Sequence, residues 1–183
     1  MINKIRSLKH LLFGKTKSKA ELEQTIVLKE LEPVFKKYQQ KKGYWTSKLH
    51  YSNYLSPKRI DFIQQLLKQV EKEVALEDIF PKSYLDVSFG SGYLPYYFKR
   101  NYPSFTISGT ELNSDAIIIF KTLIPDFESV YHQNIYNLDT PKFGIVSCTE
   151  VLEHLTHPDR ALIKLLSCVE NNGYLFITVP NGR

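Results

Sequence analysis

Residues 84–93 read Tyr84-Leu85-Asp86-Val87-Ser88-Phe89-Gly90-Ser91-Gly92-Tyr93. An apolar, β-rich run gives way to a turn with two glycines, and a helical stretch follows. That order puts the turn at the carboxyl end of a strand, where open α/β sheets take their ligands. Gly90 and Gly92 let the backbone turn tightly and let a ligand approach without a Cβ in the way. The helix after the turn offers its first amides and positive dipole end to a carboxylate or phosphate. A plain strand-to-helix turn would use glycine equally well, so the flanking sequence has to decide. A nicotinamide-type GxGxxG fingerprint would need glycine at Ser88, Gly90 and Tyr93, or at Gly90, Gly92 and Pro95, and both registers fail.

Downstream of this turn, short β-rich runs alternate with helical ones. Residues 84–87 precede a helix over 93–100, and residues 105–108 precede one over 114–123. Residues 128–131 follow, then 143–147 with a helix over 158–169, and a last strand over 174–179. This alternation predicts an α/β fold: a Rossmann-like, mostly parallel sheet with helices on both faces and right-handed crossovers. Upstream the texture is helical. Ser18 precedes a helix expected over residues 19–40, with Leu22, Ile26, Leu28, Leu31 and Phe35 on its apolar stripe and Pro33 as a kink. The aromatic stretch 44–54 reads as a loop. Ser56 and Pro57 cap and open a further helix that buries Ile60, Ile63, Leu66, Leu67 and Val70. The expected division is a basic lead-in and helical cap over residues 1–80 and a ligand-binding domain over 81–183. A parallel strand inside a sheet expects neighbours on both sides, so the protein is expected to continue beyond Arg183.

Composition excludes several classes. Of 183 residues, 43% are apolar and 23% charged, which is globular rather than disordered material. Two cysteines, Cys148 and Cys168, form no CxxC pair, so neither a zinc site nor a disulfide framework is expected. A reducing compartment, the cytoplasm, is the expectation. No apolar run approaches the ~20 residues of a membrane span. The formal charge of +5 tolerates an anionic surface but is by itself a weak argument for nucleic acid.

Three further segments fall at strand ends. Residues 105–111 form a strand that closes on Glu111, whose carboxylate could accept both hydroxyls of a ribose. Residues 132–138 follow the third strand, with Asn134 and Ile135 beside each other; Asn134 also suits a turn. Residues 143–155 contain Glu150-Val151-Leu152-Glu153-His154-Leu155. Glu150, Glu153 and His154 have i, i+3, i+4 spacing, so on a helical turn they would share a face. Such a trio could hold a divalent ion. Alternatively, Glu150 lines a pocket and His154 serves as a general base, imidazole being the side-chain type most suited to that work; His157 is a second candidate.

Taken in order, these segments resemble class I S-adenosylmethionine-dependent methyltransferases, over about residues 81–183. Asp86, Gly90 and Gly92 match the acid-GxGxG motif of that family, with Ser88 where the first glycine is usual. The 143–155 segment resembles the family's EVLEHL text, with Gly144 where Asp is common. The resemblance implies S-adenosylmethionine as cofactor. Its binding set would be Asp86, Ser88, Gly90, Gly92, Glu111 (on the ribose), Asn134 and Ile135 (at the adenine) and Glu150. His154 is the candidate catalytic residue, and no metal is assigned. The implied acceptor is a hydroxyl of a small molecule, lipid or glycan. An inactive binding module and a metal-assisted RNA 2′-O-methyltransferase are the alternatives; DNA is not expected. The cap aromatics Tyr44, Trp45 and Tyr51 either close over the cofactor or serve as packing.

Overall fold

The structure, a computed structural model, describes residues 17–39 and 43–181. The basic lead-in of residues 1–16 and the expected helix end at Gln40 lie outside the described residues.

Ser18 opens α1 (Lys19–Glu30) with a reciprocal capping box: its hydroxyl accepts from Glu21 N, and the Glu21 carboxylate accepts from Ser18 N. The expected single helix breaks at Leu31, and α2 (Glu32–Tyr38) starts again with Pro33 in its first turn. Proline lacks the N–H that a continuous helix requires and tolerates only an opening turn. The stretch read as a loop instead forms α3 (Lys48–Tyr54). Here burial overrides weak local propensity: Tyr51 is 0% exposed, and its hydroxyl donates to the Ser91 carbonyl at 3.0 Å. Ser56 caps α4 (Pro57–Glu73) by accepting from Arg59 N.

The sheet contains β1 (Ser83–Val87), β2 (Thr106–Thr110), β3 (Ser129–Tyr131), β4 (Phe143–Thr149) and β5 (Val169–Thr178) in the order β3-β2-β1-β4-β5. Every pairing is parallel, as expected. The crossover helices are α5 (Tyr93–Asn101), α6 (Ser114–Leu123) and α7 (Pro158–Ser167). The last strand starts earlier than expected because the chain leaves α7 at Cys168 and pairs Val169 with Phe143 at once. An irregular stretch through Asn172 (φ +68°) then restores the register at Tyr174.

Alternation along the strands divides the core in two. Tyr84, Ile107 and Ile145 face a cluster shared with α1, α4, α5 and α6, including Val27, Ile60, Phe98 and Phe120. Leu85, Val87, Val146 and Cys148 face the other cluster, with Ala161 and Leu165 of α7. The N-terminal helices therefore pack into the same core as the sheet. Polar ties reinforce them: Tyr96 donates to Glu30 at 3.0 Å and Gln64 to the Tyr93 hydroxyl at 3.3 Å, while Arg100 pairs with Glu23.

Gly144 now has a steric reason. A Cβ there would overlap the Pro81 carbonyl oxygen and sit 2.7 Å from Ile79 Cγ2. The segment entering β1 passes directly over the start of β4, so no side chain fits. Gly144→Ala is expected to cost about 1–3 kcal/mol through overpacking, seen as a lower urea midpoint at unchanged m-value. An unchanged midpoint would show that this crossing yields freely.

Candidate active site

With β2 on one side of β1 and β4 on the other, the winding reverses at β1. A crevice therefore opens beyond the carboxyl ends of β1 and β4. The glycine turn, Glu111, the 132–138 segment and Glu150 all arrive at this edge, each following its own strand.

Asp86 stands in register between Gly109 of β2 and Ser147 of β4. It is 2% exposed, and Ser147 Oγ donates to its Oδ1 at 2.7 Å. Burial pushes the carboxyl up to about 7; the Ser147 hydrogen bond opposes this and the neighbouring Glu111 charge adds to it.

The turn after β1 is left-handed at three residues: Ser88 at φ +60°, Gly90 at +52° and Gly92 at +69°. Glycine adopts this at no steric cost, which accounts for two of the three. Ser88 is retained there by donating its N–H to the Thr110 carbonyl at 2.8 Å. Glu111 clamps the turn from the side: its Oε2 accepts from Gly90 N at 3.0 Å, and its Oε1 accepts from Leu112 N at 2.8 Å and Asn113 N at 3.0 Å.

The roof comes from the helical cap. A Cβ on Gly90 would lie 3.6 Å from Trp45 Cζ2 and 3.8 Å from the Tyr54 hydroxyl. Tyr54 is edge-on to Trp45, and the Arg59 guanidinium stacks over its ring, 4.0 Å from the centroid. Tyr54, Arg59, Asp86, Ser88, Thr149 and Glu150 are among the residues around a narrow cleft of about 40 Å³. A wider cavity of about 620 Å³ shares Arg59, Phe62 and Glu150 with it and extends along Thr178 and Val179. Of the cap aromatics named from the sequence, Trp45 covers the turn, Tyr51 is a core residue, and Tyr44 packs edge-on against Trp45 and stacks on His50. Tyr54 and Arg59 escaped the sequence reading. A tyrosine in an apparent loop and an arginine in a helix's first turn both look like solvated surface.

The Glu150 segment differs from a helical turn. Glu150 is itself left-handed, at φ +55°, and only the short 3₁₀ turn Leu152–His154 follows. Glu150 Oε1 accepts from Thr178 Oγ1 at 2.8 Å, while Glu153 Oε1 lies 3.7 Å from His154 Nε2. The spacing argument for a shared metal face therefore lapses. Among the described residues no group of three His, Cys, Asp or Glu side chains could hold a metal ion. The His154 side chain is 77% exposed. His157 donates its N–H to the Tyr136 hydroxyl at 3.2 Å. Asn134 Oδ1 accepts from Tyr136 N at 3.0 Å, the turn-forming use, and Ile135 is 5% exposed in the α7-side core.

A glycine turn clamped by an acid from the next strand, next to a buried carboxylate at the reversal of a parallel sheet, defines a Rossmann-like nucleotide-type binding site. Residues 39–183 match the family model described as a methyltransferase domain, and the chain belongs to this family, the class I S-adenosylmethionine-dependent methyltransferases. Among curated relatives, it is 28% identical to the mitochondrial ubiquinone biosynthesis O-methyltransferase of Candida albicans, over 70% of this chain and 43% of that one. It is 26% identical to the ubiquinone biosynthesis O-methyltransferase of Actinobacillus pleuropneumoniae, over 69% of this chain and 54% of the relative. The chain thus spans about half the length of the curated relatives it matches. Its fold resembles the S-adenosylmethionine-bound amino pentose methyltransferase CalS10 of Micromonospora echinaspora (TM-score 0.54, 18% identity, 65% of this chain and 50% of that one). It also resembles the sugar N-methyltransferase KedS8 of Streptoalloteichus (TM-score 0.50, 20% identity, 57% of this chain and 44% of that one).

A buried acid carries a stability signature. With its pKa raised in the folded protein, Asp86 contributes stability that is full below the unfolded value near 4 and is lost as pH rises through about 7. Asp86→Asn is expected to flatten that decline and to be the more stable form at pH 7, by on the order of a few kcal/mol. Urea melts of both proteins between pH 4 and 8 test this; parallel pH curves would show that Asp86 is not held neutral.

Proposed function

We propose that this chain binds S-adenosylmethionine in the crevice beyond β1, β2 and β4 and transfers a methyl group to a hydroxyl of a small molecule. The observation that carries this reading is the clamp of Glu111 on Gly90 N. It presents a pre-ordered carboxylate and a Cβ-free backbone in one crevice. The donor set suits the cofactor's chemistry. Glu111 keeps acceptor capacity on Oε2 for ribose hydroxyls. Arg59 can face the cofactor's carboxylate, and the acids Asp86 and Glu150 suit its cationic groups. Trp45 and Tyr54 must shift to admit it, because a drug-sized ligand needs a pocket of roughly 300 Å³ or more and the cleft offers about 40 Å³.

S-adenosylmethionine supplies an electrophilic methyl when bound. The chain's part is to bind and orient, which can supply much of the rate for a two-reactant step. At the acceptor, the chain would have to take up the hydroxyl proton that methylation releases. We assign that role to His154, which follows Glu150 at the same edge and is paired with Glu153. The hydroxyl acceptor rests on the relatives named as ubiquinone biosynthesis O-methyltransferases. The wider cavity beside Phe62 and Val179 is the place for an apolar acceptor, lipid or glycan acceptors being variants of the same reading. No helix among the described residues is long and apolar enough to cross a membrane. Both cysteines are unbridged and buried, which suits a reducing compartment such as the cytoplasm, whereas the Candida relative is named as mitochondrial.

The tightness of the cleft favours one rival, a binding module that has lost the cofactor. Titration with S-adenosylhomocysteine separates the two. Micromolar binding is expected, weakened at least tenfold, or about 1.4 kcal/mol, by Glu111→Ala. Trp45, the single tryptophan, should report it as a fluorescence change. A folded chain that does not bind would favour the module. In turnover assays, His154→Ala is expected to lower the rate by roughly 10²–10⁴-fold with cofactor affinity retained.

A further inference from the structure

We propose that Ser147, anchored by the Tyr84 hydroxyl, is a positioning residue of the cofactor site that aims the Asp86 carboxylate and couples cofactor binding to release of a proton. The inference rests on the cofactor-binding reading above and extends it to residues that sequence reasoning had placed only in strands.

Tyr84 and Asp86 point to the same face of β1, and Ser147 lies on that face of β4, paired in register with Asp86. The Tyr84 hydroxyl and Ser147 Oγ are 2.7 Å apart, and Ser147 Oγ is 2.7 Å from Asp86 Oδ1. All three residues are 2% exposed or less, and Tyr84 is held flat against Phe98, ring centroids 4.3 Å apart. A serine hydroxyl has one proton to give. With Asp86 charged, Ser147 must donate to it, so Tyr84 must donate to Ser147. With Asp86 protonated on Oδ2, Ser147 still donates to Oδ1 and the row keeps its direction, so both hydroxyl protons stay paired. The three groups thus form a row that serves both states of the buried acid, and a buried polar network holds only when every member is satisfied. Among the described residues nothing donates to Oδ2, which leaves that atom for the cleft.

Around Asp86 stand Tyr84 on its own strand and Glu111 from the end of β2, with Glu150 from the end of β4, Tyr54 of α3 and Arg59 of α4 lining the same cleft; the Cys148 thiol lies on the opposite face of β4. A ligand carrying an ammonium or sulfonium favours the charged carboxylate over the neutral acid. Burial holds Asp86 near 7, so binding of such a ligand below that pH expels a proton. Affinity should therefore climb by up to tenfold per pH unit toward 7 and level off above it. Ser147 favours the charged form as its hydrogen-bond donor, so removing it should move the plateau upward in pH.

The test is calorimetric titration of the whole chain with S-adenosylhomocysteine from pH 5.5 to 8.5, in buffers of different ionisation enthalpy. Wild type should release a fraction of a proton at pH 6, and almost none at pH 8.5. Ser147→Ala should shift the affinity–pH midpoint up by about one unit, the worth of one hydrogen bond to a charge. Tyr84→Phe should shift it less, in the same direction, and Asp86→Asn should abolish the pH dependence. Circular dichroism melts confirm that each variant folds; should Ser147→Ala unfold, Tyr84→Phe carries the test alone. An equal loss of affinity at every pH, with the midpoint unmoved, would mean a purely structural role and overturn the proposal while leaving the cofactor reading intact. No binding by folded wild type at any pH would overturn both.

Discussion

Asp86 is a carboxylate enclosed between two parallel strands, and the surroundings of β1 can be understood from what that enclosure requires. An isolated buried charge is costly, so the neighbours must supply a donor and a route to a compensating ligand. Ser147 supplies the donor at 2.7 Å. Gly109 on the other side leaves space for the Phe89 ring of the glycine turn: a Cβ there would fall 2.5 Å from that ring. The left-handed turn that follows Val87 opens the route. Moving β1 in register by one residue would send Asp86 into the α7-side core and Leu85 into the crevice, because strand faces alternate.

The same crevice shows why the cap is integral to the site. Tyr51 donates to the carbonyl of Ser91 inside the glycine turn, and Trp45 and Tyr54 stand over Gly90. The helices before the sheet therefore brace the turn from above, while Glu111 clamps it from the side. Backbone strain gathers at this edge, in Ser88 and Glu150. Left-handed conformations in non-glycine residues cost of order 1–3 kcal/mol each and persist where the surroundings over-determine them. Glu150 is so fixed, by its N–H on the Thr178 carbonyl and its carboxylate on the Thr178 hydroxyl. This tie also directs Glu150 toward β5 and away from Glu153 and His154.

The sequence alone determined the alternation of elements, the parallel sheet and the arrival of Asp86, Gly90, Gly92 and Glu111 at one edge. These are local facts: strand period, glycine turns and the spacing of acids after strands survive in one dimension. It did not determine that residues 48–54 are helical, since their helix depends on burying Tyr51 against distant residues. Nor could it show that Gly144 is glycine for want of space under Pro81, or that the EVLEHL text forms no helical face. Tyr54 and Arg59 at the cleft, and the row from Tyr84 through Ser147 to Asp86, were decided only in three dimensions. Each depends on contacts between segments tens of residues apart in the chain, and a single sequence carries no record of which of its distant side chains meet.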